Sequence, residues 1–118
     1  MEITIREREG VRILDLVGKL TLGGGAKAVY VAVRSELESG HKWILLNLSQ
    51  VTFIDSTGLG RLVACLTSAS TRDATVKLLN PSPRVEDVFK ITQTDKLFEI
   101  FYDEDEAIRS FHSTASDT

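Results

Sequence analysis

Apolar positions along the chain change period several times, and each change predicts an element. Residues 3–8 and 11–17 are short β-prone runs separated by Glu9-Gly10, and a two-residue connector containing glycine favours a hairpin. In the first run Ile3 and Ile5 fall on one face and Glu2, Thr4 and Arg6 on the other, as in a sheet with one side incompletely covered. Gly23-Gly24-Gly25 ends the strand pattern, after which Ala26, Val29, Tyr30, Val33 and Leu37 recur at helical spacing up to Gly40, a C-terminal stop. Trp43-Ile44-Leu45-Leu46-Asn47-Leu48 is almost continuously apolar, the signature of a central strand buried on both faces.

Leu59, Leu62, Val63 and Leu66 then mark one stripe of a second helix that begins near Ser56. Residues 75–79 read as another strand, and Ser82-Pro83 supplies the cap and first residue of a short helix carrying Val85, Val88 and Phe89. A last strand is expected over 97–102. Asp105 is expected to cap a final helix with Ala107, Ile108 and Phe111 facing inward. The order ββαβαβαβα, with about four helices, predicts an α/β fold around a mixed sheet. Residues 1–112 form a single domain in this reading, and 113–118 a flexible polar tail.

Composition narrows the function. With 118 residues, 42% of them hydrophobic and 26% charged, the chain is long enough to bury one core and too apolar to be disordered. A net charge of -3 lacks the basic footprint of a nucleic-acid binder. The alternating start Met1-Glu2-Ile3-Thr4-Ile5-Arg6 does not resemble a signal peptide, and no apolar run reaches membrane-spanning length. The single cysteine, Cys65, permits no internal disulfide and fits a reducing, cytoplasmic setting. Its place between apolar helix positions marks it as a packing residue.

The segment richest in chemistry is Asp55-Ser56-Thr57-Gly58-Leu59-Gly60, at the passage from the core strand into the second helix. A serine there is accessible to a modifying enzyme, and free amides and the helix dipole would partly stabilise a phosphate while Asp55 opposed it. Glycines at 58 and 60 would let a partner backbone approach the helix start. The plainer reading is that Asp55 or Ser56 only caps the helix.

This run, together with the order of elements, resembles the STAS domain of bacterial anti-sigma factor antagonists. The resemblance implies a partner-switching circuit: the unmodified protein captures an anti-sigma factor serine kinase, phosphorylation releases it, and a phosphatase restores the active form. The family's acceptor carries over to Ser56, with Thr57 as second choice. Partner contacts are expected at Asp55, Ser56, Thr57, Gly58, Leu59, Gly60 and Thr21. Family members often carry an acidic residue near the start of the first helix, where this chain has Lys19 and Thr21.

Other chemistry is thinly represented. Gly23-Gly24-Gly25-Ala26-Lys27 does not fit a P-loop spacing. Ser56 lacks the G-x-S-x-G frame of a hydrolase elbow, and His41 and His112 read as surface residues. Asp103-Glu104-Asp105-Glu106 suits the start of a helix. The expectation is a signalling module with no catalytic residue, cofactor or metal. Its rivals are a STAS scaffold that acts without phosphorylation and a small hydrolase using Ser56 as nucleophile.

Overall fold

The computed structural model describes residues 1–116, with side chains through Ser113. Glu9 and Gly10 both take positive φ, 50° and 84°, the turn whose twist matches paired strands. It joins β1 (Glu2–Arg8) to β2 (Val11–Leu20) as an antiparallel hairpin. The chain continues through α1 (Ala26–Glu38), β3 (Trp43–Ile54), α2 (Ser56–Ser70), β4 (Thr75–Leu79), α3 (Pro83–Ile91), a 3-10 turn (Thr94–Lys96), β5 (Ile100–Phe101) and α4 (Glu104–Ser116). The five strands lie side by side in chain order, parallel from β2 onward. This is the mixed α/β sheet expected from the sequence.

Local signals act where the pattern placed them. Gly40, at φ 94°, ends α1, with its N–H bonded to the Leu37 carbonyl at 3.0 Å and the His41 N–H to Glu36 at 3.1 Å. Those paired bonds satisfy carbonyls that a helix end leaves open. The Ser82 hydroxyl accepts from the Val85 N–H, and Pro83 opens α3.

The sheet separates two cores. On one face Leu14, Leu16, Ile44, Leu46, Leu48 and Leu78 pack against α1, α2 and α3 through Val29, Val33, Leu62, Cys65, Val85 and Phe89. On the other, Val11, Ile13, Leu45 and Leu79 meet Ala107, Ile108 and Phe111 of α4. The single helix α4 leaves part of its face open, so Val17 and Phe53 remain 39% and 42% exposed. Lys77 lies beneath α4, its ammonium 2.9 Å from the Ser110 hydroxyl, 3.3 Å from Glu99 and 4.6 Å from the centre of the Phe111 ring.

Three boundaries differ from the sequence reading. β3 runs on to Ile54 rather than ending at Leu48. Register irregularities against β2 at Asp15/Val17 and Gly18/Lys19 break the alternation, and Ser49, Gln50 and Thr52 are exposed, so the strand's second half is polar. β5 is only Ile100–Phe101, because Leu97 closes the 3-10 turn and Phe98 turns inward onto Phe89, ring centres 5.5 Å apart. Asp103, not Asp105, caps α4, accepting from the Glu106 N–H at 3.3 Å. α4 extends through Ser116, overlapping the start of the expected polar tail; 117–118 lie outside the described residues.

An ion-pair cluster ties α4 to the hairpin. Arg6 bridges Asp15, at 2.7 Å, and Glu104, while Arg8 reaches Glu104 and Asp105. The hydrogen bond from Arg6 is the leading cause that holds the Glu104 carboxyl at about 2, against an ordinary 4.5. Asp15 is likewise lowered, first by Arg6. Carboxylates with folded values below their unfolded ones stabilise the fold above the unfolded value and lose that contribution as pH falls through the folded one. Thermal melts across the acid range should therefore show the midpoint dropping from about 4.5 toward about 2. Glu104→Gln should lower the neutral-pH midpoint and shallow that acid limb; an unchanged limb would mean that the cluster adds nothing.

Candidate functional site

The turn after β3 is organised by Asp55. Its backbone is extended, at φ -110° and ψ -176°, and its side chain caps α2 by accepting from the Gly58 N–H at 2.8 Å. The other carboxylate oxygen accepts from the Leu22 N–H at 3.0 Å. One side chain thus pins the β2–α1 loop to the start of α2. The bonds from Gly58 and then Leu22 hold the Asp55 carboxyl below the usual carboxylate range, so the group is ionised at neutral pH.

This arrangement decides between Asp55 and Ser56 as the cap. Asp55 does the capping, and the exposed Ser56 hydroxyl has no hydrogen-bond partner among the described residues. Of the amides at the helix start, which the sequence offered to a phosphate, the Gly58 N–H is already taken by the Asp55 carboxylate. A phosphate on Ser56 would sit next to an ionised carboxylate.

The remaining residues of the run divide by exposure. Leu59 is buried in the main core, Thr57 is half-buried, and Gly60 faces open space. Gly58 is buried beneath β2, and a Cβ there would lie 1.9 Å from the Leu20 carbonyl oxygen. Its missing side chain admits the protein's own backbone, so the partner-approach reading applies only to Gly60. Thr21 is brought beside this turn, its carbonyl accepting from Gly24 and Ala26 in a tight loop. Lys19 is exposed and in register with Phe53.

Residues that the sequence reading passed over also gather here. Leu22 is 77% exposed although its amide is held by Asp55; an apolar residue directly before three glycines was the available signal. Arg61 lies one helical turn after Thr57, its guanidinium 5.2 Å from the centre of the Tyr30 ring. The histidines are elsewhere. His41 precedes β3, and His112 packs edge-on to Trp43 at 4.6 Å, at the end of β3 opposite Ser56. Cys65 is fully buried, and burial pushes its thiol up to about 12. Among the described residues no group of histidine, cysteine or carboxylate side chains could hold a metal, and no helix is long and apolar enough to cross a membrane.

The two glycines should respond differently to substitution. Gly58→Ala forces backbone against backbone and should cost about 3 kcal/mol. Gly60→Ala adds a methyl to open space in a helix and should stabilise by about 0.5–1 kcal/mol. Urea unfolding of both variants measures the contrast; equal effects would contradict the Leu20 contact.

The STAS domain family model matches residues 2–107. A Thermotoga neapolitana protein named as an anti-sigma factor antagonist is 42% identical over 65 residues, 55% of this chain and 58% of its own length. The chain therefore spans little more than half of that curated relative. The crystal structure of an anti-sigma factor antagonist from Thermotoga maritima superposes with a TM-score of 0.84 at 30% identity, covering 92% of both chains. The anti-sigma factor antagonist SpoIIAA in its unphosphorylated form shares the fold, with a TM-score of 0.79 at 21% identity over 95% of this chain and 97% of its own. With the family match running from β1 into α4 and the Asp55 turn at the head of α2, the chain belongs to the STAS domain family.

Proposed function

We propose that the protein is an anti-sigma factor antagonist of a bacterial partner-switching circuit. Unphosphorylated, it binds an anti-sigma factor serine kinase through the Ser56 turn and the Thr21 loop; phosphorylation of Ser56 releases the kinase, and a phosphatase resets the switch in the cytoplasm. The observation that carries this reading is the free, exposed Ser56 hydroxyl, spared from capping by Asp55. Relatives named as anti-sigma factor antagonists support its sigma-factor side. The chain is read as non-catalytic, since the histidines that could serve a Ser56 nucleophile lie at the far end of β3.

The switch works by spoiling an interface. Phosphate adds about 1.5 to 2 negative charges next to the ionised Asp55, at a helix start whose buried side, Leu59, Leu62 and Cys65, faces away into the core. Desolvating that charge or setting it against a surface shaped for a hydroxyl would cost roughly 3 kcal/mol, about a hundredfold in affinity. No rearrangement of β3 is needed.

The test starts from the native organism: recovery of the bound kinase, with phosphopeptide mapping of the chain. Modification is expected at Ser56; modification only at Thr57 would move the acceptor, and capture of the kinase without any modification would favour the phosphorylation-free scaffold. With the recovered kinase, Ser56→Asp should weaken binding by up to about a hundredfold, and Ser56→Ala should bind and resist release. Thr21→Asp should alter affinity while leaving thermal stability nearly unchanged. Amide exchange across Trp43 to Leu48 should not change on phosphorylation; a global change there would point to refolding instead.

A further inference from the structure

Beside the Ser56 turn, between the starts of α1 and α2, lies a cleft of about 320 Å³. Lys27 borders it from the first turn of α1 and Arg61 from α2. The hydroxyl-bearing residues Thr21 and Thr57 and the backbone of Gly23 and Gly24 complete its polar wall. Leu22 and Ala26 make the rest apolar.

Two cations without a carboxylate partner line this one cleft. Elsewhere Arg6, Arg8, Arg12, Arg34 and Lys77 each have a carboxylate within ion-pair distance. Among the described residues Lys27 and Arg61 belong to the nine of 14 lysines and arginines that have none, and these two line the same cleft. Arg61 is also pre-positioned. Its guanidinium lies over the Tyr30 ring, and the Tyr30 hydroxyl accepts a hydrogen bond from Arg34 at 2.9 Å. A stacked guanidinium loses little further freedom when it grips an anion. Thr57 and Arg61, four residues apart in α2, share a helix face.

We propose that this cleft is a binding site for a phosphate monoester. A planar fork from α2 and an ammonium from α1, with two threonines lining the same cleft, suit a tetrahedral dianion that offers oxygens in several directions. The apolar wall suits an uncharged body attached to it. The phosphate can come from a soluble ester or from Ser56 itself when phosphorylated; only the second source rests on the switch proposed above.

The test uses the unphosphorylated full chain, followed by amide shifts in nuclear magnetic resonance. It is titrated with inorganic phosphate and with phenyl phosphate at constant ionic strength set by chloride. Saturating shifts confined to Gly23, Gly24, Lys27 and Thr57 are expected, with a dissociation constant on the order of 1 mM. Lys27→Gln combined with Arg61→Gln should weaken binding at least about tenfold, and Lys27→Gln alone by less. Shifts that stay linear, or that saturate equally in the double variant, overturn the proposal. Repeating the titration on Ser56-phosphorylated chain separates the sources: loss of free phosphate binding assigns the cleft to the chain's own phosphoryl group, and retained binding assigns it to a soluble ester. Failure of Ser56 to accept phosphate would sink the switch and leave the first titration decisive for the cleft.

Discussion

The Asp55 carboxylate, accepting one N–H from Gly58 and one from Leu22, is the constraint on which the candidate site depends. A single cap would fix only the direction of α2. The second bond makes the β2–α1 loop part of the same rigid unit, so Thr21, Leu22 and Ser56 are presented together. Gly58 makes this possible by letting α2 start against the Leu20 carbonyl, closer than any side chain would allow. Charge follows from the geometry, because two amide donors keep Asp55 ionised and any anion added at Ser56 meets it.

The sheet presents two differently covered faces to this unit. Three helices seal one side, whereas α4 alone covers part of the other and is held by ion pairs as well as by Ala107, Ile108 and Phe111. Because the uncovered part lies toward the end of β3, Phe53 and Val17 stay partly in solvent near the Ser56 turn. The long strand thus carries a closed core at one end and an accessible surface at the other.

Much of this was legible from local pattern. The hairpin at Glu9-Gly10, the stop at Gly40, the cap at Ser82 and the start of α2 at Ser56 each depend on a few adjacent residues. The second half of β3 was not, since its register irregularities insert polar residues where alternation would otherwise announce a strand. The role of Gly58 was misread for a related reason: glycine in sequence signals only that something comes close, and here it is Leu20, far earlier in the chain. The Asp55 to Leu22 bond spans 33 positions, and the convergence of Lys27 and Arg61 likewise exists only once α1 and α2 lie side by side.

Cys65 gives the fold a built-in reporter. Only a thiolate reacts readily with alkylating or disulfide reagents, and this thiol is both sealed in the core and pushed up to about 12. Labelling must therefore wait for α2 to leave the sheet. The rate of thiol modification then measures how often the main core opens, with no tag or added probe.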